Sequence, residues 1–190
     1  MSNRTISISA LSGDCWCNKP SIGTFDNTGA DLYVGGTGSS GDEIKTWIPF
    51  VIPLPKNKPI ISAYLQVVAT GTDAFNPCDV YMGCEAADNP AAPVSQADLW
   101  ARALTTSYNA FSIDAETAGE TYYYDITSSV QEILNRAGWS PSNTLAVFVI
   151  DAVSGSARWR RWAALEHGSY TEPRLVLTFP YFVPRGGALI

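Results

Sequence analysis

The only histidine of this 190-residue chain, His167, sits in Glu166-His167-Gly168-Ser169, a stretch that reads as a turn. A serine or cysteine hydrolase needs a base beside its nucleophile. No Gly-x-Ser-x-Gly elbow is present, so His167 reads as a loop residue. Carboxylate pairs occur at Asp42 with Glu43, Glu116 with Glu120, and Asp73 with Asp79. A glycosidase holds its two carboxyls about 5 to 9 Å apart in space, which nearness along the chain does not supply. In an acidic protein such pairs read as solvated loop charges. Tyr122, Tyr123 and Tyr124 could offer a tyrosine base for a polysaccharide lyase, but alternation sends Tyr122 and Tyr124 to one face, and core packing explains that more simply. No catalytic residue is assigned, and the chain is expected not to be an enzyme.

Calcium takes several oxygen ligands, which loops rich in Asp, Asn and Gly can supply. Asp26, Asn27 and Asp31, around Thr28-Gly29, form the first candidate site, and Asp73 to Asp79 the second. Neither has EF-hand spacing, and an Asx turn is the alternative reading of the first. No cofactor is otherwise expected. The four cysteines fall as Cys15-Trp16-Cys17 and as Cys78 with Cys84, without the C-x-x-C spacing of common zinc or redox motifs. Buried free thiols, one or two disulfides, and a four-thiolate zinc site remain open.

The densest chemistry lies in Arg158-Trp159-Arg160-Arg161-Trp162, three arginines and two tryptophans in a chain otherwise poor in charge. On a strand, Arg158, Arg160 and Trp162 fall on one face and Trp159, Arg161 and Ala163 on the other, so this is not one basic patch. Guanidinium groups stack on indole rings and arginine stems cover apolar surface, so the strand can be stabilised with no ligand. A protein interface, where Trp and Arg are enriched, and a sugar-stacking platform are the other readings. Arg158, Trp159, Arg160, Trp162, Tyr181 and Phe182 are the candidate interface or ligand-stacking residues.

The elements that must position these residues are short. Fifteen glycines and twelve prolines punctuate β-branched and aromatic segments, the texture of an all-β domain. Strands are predicted at 5–10, 31–34, 46–51, 60–69, 78–84, 121–126, 144–151, 158–165 and 174–179. In 60–69, Ile61, Ala63, Leu65, Val67 and Ala69 share a face that should meet a core, whereas 144–150 is apolar on both faces, as an inner strand covered on both sides would be. The segment 127–137 places Val130, Ile133, Leu134 and Ala137 at helical spacing, opens with hydroxyls and ends before Gly138, so it predicts a helix. A weaker helical turn is possible at 96–103. The economical architecture is a two-sheet antiparallel jelly-roll-like β-sandwich with one short α-helix at about 127–137. Residues 1–24 read as an N-terminal arm or first strand, 25–180 as the sandwich, and 181–190 as a C-terminal tail.

An apolar content of 46% lets a chain of this length fold as one domain without a partner. Lysine plus arginine total 12 against 18 acidic residues, a net charge of −6, which opposes nucleic acid as a partner. No apolar run approaches the roughly 18 residues of a membrane span, and the start, MSNRTISISALSGD, lacks a basic n-region and apolar h-region. A soluble chain with no leader of its own is therefore expected. To work outside a cell it would leave within a virus particle or by lysis.

The second half carries a pattern in fixed order. Asp125-Ile126-Thr127 leads into Val130-Gln131-Glu132-Ile133-Leu134-Asn135-Arg136, then Gly138-Trp139, Ser142-Asn143-Thr144-Leu145-Ala146, an apolar strand, Glu166, and Glu172-Pro173-Arg174-Leu175-Val176-Leu177. Ala30 to Gly35, Trp47-Ile48-Pro49-Phe50 before Leu54-Pro55, and Ile60 to Leu65 fit more loosely. Over about residues 25–179 the chain resembles the DNRLRE-type domain family of bacterial, archaeal and phage surface proteins. It departs where the family's arginine before the third strand is replaced around Lys45-Thr46-Trp47, and where the glycine of Gly-Asn is Ser142. The resemblance implies a jelly-roll unit for display, adhesion or carbohydrate binding, in some members with calcium.

Large apolar residues at the two ends, such as Tyr181 and Phe182, either pack back on the sandwich or dock in a neighbouring subunit. The resulting expectation is a non-enzymatic structural or adhesion protein of an extracellular assembly, in particular a phage virion component such as a capsid decoration or tail-associated protein. Its expected partners are copies of itself or virion lattice proteins. The alternative is a carbohydrate-binding module with a glycan as partner, in which the Asp/Asn loop would hold calcium.

Overall fold

In the segment Ser62–Val68, Ala63, Leu65 and Val67 are fully buried while Ser62, Tyr64 and Gln66 stay partly exposed. The two-residue alternation therefore gives the strand one face for a core and one for solvent. The computed structural model describes residues 2–19, 23–37, 43–72, 77–152 and 157–181. Along them run β1 (Ser2–Ser9), β2 (Cys15–Asn18), β3 (Phe25–Asp26), β4 (Asp31–Thr37), β5 (Ile44–Val51), β6 (Ser62–Val68), β7 (Cys78–Cys84), α1 (Gln96–Ala101), β8 (Asn109–Ile113), β9 (Thr121–Asp125), α2 (Thr127–Asn135), β10 (Thr144–Asp151), β11 (Ala157–Ala163) and β12 (Arg174–Tyr181).

All pairings are antiparallel. One sheet has the order β1-β12-β6-β9 and the other β3-β2-β5-β10-β7-β8, with β4 and β11 as a separate ribbon. From β5 onward the chain changes sheet at each main connection except the β7–β8 hairpin, and the first and last strands lie side by side. This is the strand order of a jelly roll. The protein is thus an all-β sandwich, with the β4–β11 ribbon as an addition that strand periodicity did not reveal.

The main core fills the space between the sheets with residues such as Leu32, Ile48, Leu65, Val80, Val147, Trp162 and Leu177. A second cluster of Cys15, Cys17, Trp47, Leu99, Ala146 and Phe148 covers the outer face of the six-stranded sheet. Leu99 on α1 closes that cluster, which is why β10 is buried on both faces. No helix among the described residues is long and apolar enough to cross a membrane.

Several expectations change. Within the segment 1–24, read as an arm or first strand, Ser2–Ser9 and Cys15–Asn18 are strands hydrogen-bonded into the two sheets. Strands β2, β3 and β8 were not predicted; they are short and derive their order from their neighbours. Ile61 precedes β6 and is 48% exposed, outside the core face assigned to it. Helix α2 ends at Asn135, because Arg136 already has extended backbone. Its N-cap, Ile126, makes no side-chain cap hydrogen bond, so the predicted hydroxyl cap does not form. Asp125 Oδ1, from the end of β9, accepts from Thr127 N at 2.9 Å and Thr127 Oγ1 at 2.6 Å.

Candidate functional site

Strand β11 divides its Arg/Trp cluster between the core and the outside. It pairs with β4 in a register that sets Trp159 opposite Gly35, Arg161 opposite Tyr33 and Trp162 opposite Leu32. Gly35 has φ +97°, and a Cβ there would strike the Arg158 carbonyl and Cys78 Sγ; only glycine allows the ribbon to close so tightly on the core.

On the inner side, Arg160 is 1% exposed. Its Nε donates to the Asp114 carbonyl at 3.1 Å, Nη2 to Ile113 at 2.9 Å and Nη1 to Trp159 at 3.0 Å. These bonds tie the ribbon to the end of β8. Trp162 is fully buried, and its indole N–H donates to Glu116 Oε2 at 2.9 Å. The Tyr124 hydroxyl donates to Glu116 Oε1 at 2.6 Å, and the Tyr124 and Trp162 rings lie 5.5 Å apart. Burial first, and then the Glu116 carboxyl, push the Tyr124 phenol well above its ordinary range, so it stays protonated and is a poor base. Glu116, read from sequence as a solvated loop charge, is 2% exposed. Neither Arg160 nor Trp162 belongs to a binding surface.

On the side away from Arg160, the partly buried Tyr33 and Trp159 continue an aromatic row to Trp16, which packs against the main core. Their centroids are 4.6 Å and 5.4 Å apart in sequence along it, and the Arg161 guanidinium lies 5.2 Å from the Trp159 ring. Gly71 leaves room for that guanidinium, which a Cβ would strike. Arg158, half exposed, reaches Asp79 at 3.8 Å. Sequence reasoning missed Trp16 and Tyr33. Their signal was alternation: Cys-Trp-Cys puts Trp16 opposite to Cys15 and Cys17, and Leu32 and Val34 leave Tyr33 facing out.

Asp26 Oδ1 accepts from Thr28 N at 3.0 Å and Gly29 N at 2.8 Å, an Asx turn, while Asn27 is exposed. Asp31 begins β4 with Oδ1 buried and without a hydrogen-bond partner. Among the described residues no three His, Cys, Asp or Glu side chains are grouped to hold a metal ion. In the second candidate, residues 73–76 lie outside the described residues and Asp79 faces Arg158.

The four cysteines are free and buried. Burial is the first cause that raises each thiol, Cys17 and Cys78 to about 12 and Cys15 and Cys84 further. They are poor nucleophiles. His167 Nδ1 accepts from Ser169 N at 3.2 Å and Tyr170 N at 3.0 Å, so it serves its own turn.

Two buried charges that sequence did not flag support the second core. Lys45 Nζ donates to the Arg102 carbonyl at 2.7 Å and lies 4.2 Å from the Phe148 ring, and burial lowers its amine to about 8. Glu85 accepts from the Trp47 indole at 2.7 Å and meets Arg102 at 3.3 Å.

The four-stranded sheet turns a different surface outward. Cross-strand rows Ser7–Val176–Tyr64–Asp125 and Ser9–Arg174–Gln66–Tyr123 run across it, and every one of these residues is half-buried or exposed. Tyr123 is 58% exposed. Strand β1 borders this face, and among the described residues no strand pairs with its other edge. Tyr181, at the end of β12, is 41% exposed; Phe182 lies outside the described residues. No family model and no curated protein matches the chain. The likeness to the DNRLRE-type family therefore rests on the motifs quoted for it.

Proposed function

We propose that the protein is a non-enzymatic structural or adhesion protein of an extracellular assembly, such as a phage virion, and that it works through protein–protein contacts. The carrying observation is the asymmetry of the two outer faces. The six-stranded sheet is covered by α1 and a second core, while among the described residues the four-stranded sheet presents a face of Ser, Thr, Tyr, Gln, Val, Arg174 and Asp125 together with the eight-residue β1 edge. Native sandwiches usually blunt or cover a long edge strand. An edge left free beside an uncovered face suits a neighbour better than water.

Sedimentation velocity over a rising concentration series tests this. Self-association that is weakened by Thr5→Lys, on the exposed face of β1, supports the reading. A protein that stays monomeric throughout, and is retained on a glycan array, replaces it with the carbohydrate-binding reading. That second reading draws on the partly exposed Tyr33 and Trp159 rings, since aromatic faces stack on sugar rings.

A further inference from the structure

Strands β1 and β12 run past the end of the main core. In β1, Ile6 and Ile8 pack against that core, so Arg4, two residues before Ile6, is on the same inward face. Across the ladder Arg4 stands opposite Phe179, and Phe179 is buried. At the margin of the core these inward positions border a cavity of about 330 Å³, lined by Arg4 and Ile6 from β1, Phe179 and Tyr181 from β12, and Leu54 and Lys58 from the connection after β5.

The cleft is apolar with two cations and no carboxylate in its lining. Lys58 Nζ donates to the Pro180 carbonyl at 2.7 Å and lies 5.2 Å from the Phe179 ring. Arg4 lies 5.8 Å from the Tyr181 ring. Among the described residues neither makes an ion pair, although the chain carries a net charge of −6. A positive, apolar cleft therefore stands beside the edge of β1 that no described strand pairs with.

A strand added antiparallel to that edge would send alternate side chains into the same inter-sheet layer as Ile8, Ile6 and Arg4. Apolar residues match Ile8 and Ile6, and a carboxylate matches Arg4, because directly opposed like types and opposite charges stabilise a ladder. We infer that β1 accepts an extended segment of a partner protein with the pattern apolar-x-apolar-x-Asp/Glu, its acidic residue paired with Arg4. A second copy of β1 fits less well, since pairing about Ile6 would put Ile8, not a carboxylate, opposite Arg4. This deepens the proposed contact function and rests on it, naming the edge and the chemistry of the partner segment.

The test uses the full chain and a labelled peptide, Gly-Val-Thr-Val-Thr-Asp-Gly, blocked at both ends, followed by fluorescence anisotropy. Saturable binding is expected, with slowed amide exchange in β1. Replacing the peptide's Asp by Lys, or Arg4→Gln in the protein, is expected to weaken binding at least about tenfold, near 1.4 kcal/mol. A peptide with proline at its central position should not bind. Arg4 is exposed, so Arg4→Gln should melt with the parent. Equal affinity for the Asp and Lys peptides overturns the inference, as does no binding up to about 1 mM. If self-association persists while the peptide fails, only this inference falls; if both are lost, the contact function falls with it.

Discussion

The indole of Trp162 donates to the carboxyl of Glu116 at 2.9 Å across 46 residues of sequence. The bond joins the ribbon strand β11 to the segment between β8 and β9, inside the sandwich. It makes the Arg/Trp stretch a fastening of the fold on its inner side. Trp162→Ala is therefore expected to cost about 3 to 5 kcal/mol of stability. Trp162→Phe keeps most of the volume but removes a donor to a buried carboxyl, at about 1 to 3 kcal/mol. Urea unfolding measures both, and a Trp162→Phe protein as stable as the parent would remove the role assigned to the bond.

Asp14 should make stability fall with rising pH, contrary to most carboxylates. It is 2% exposed, and its Oδ2 accepts from Leu165 N at 3.0 Å. Burial pushes its carboxyl up to about 7, the Leu165 amide opposes this, and the Glu166 charge adds to it. Between the ordinary value near 4 and about 7, the folded protein keeps a proton that the unfolded chain has released. Its contribution is intact below pH 4, is lost as pH rises toward 7, and is constant above that, with a slope of at most about 1.4 kcal/mol per pH unit. Asp14→Asn should abolish this slope in a series of melts from pH 4 to pH 8, taken as the difference from the parent. An unchanged slope would refute the assignment to Asp14.

Ser142 has φ +69°, in the left-handed region that costs non-glycine residues roughly 1 to 2 kcal/mol. Its amide donates to the Ile52 carbonyl at 2.8 Å, so the turn is held. Ser142→Gly is expected to gain about 0.5 kcal/mol, since the relief of strain is partly offset by a more flexible unfolded chain. Ser142→Val should lose more than about 1 kcal/mol, a β-branched residue being a poor fit at positive φ. Thermal melts that rank Val above Gly would contradict this account.

The thiols should be silent until the fold opens. With Cys17 and Cys78 pushed to about 12 and all four side chains buried, a disulfide reagent at pH 8 should label none of them in the native protein. All four should react after denaturation. A thiol that reacts in the folded protein at the rate of a free cysteine would show an opening absent from this structure.

Strand periodicity was enough to reveal the all-β class, most of the long strands and helix α2, because a half-buried strand and an amphipathic helix each write their period into residues that are neighbours in sequence. In β11 it also gave the division of Arg158, Arg160 and Trp162 from Trp159 and Arg161. It could not give what each face meets. Glu116 lies buried because Trp162 and Tyr124 arrive from distant strands with N–H and O–H donors, and Trp16 joins Tyr33 and Trp159 only through the ribbon. The strands β2, β3 and β8 gain their order from the ladders they extend, and Arg4 faces a cleft only because β1 and β12 overrun the core. Such features depend on long-range register and layer packing, and no local window of sequence contains the groups that create them.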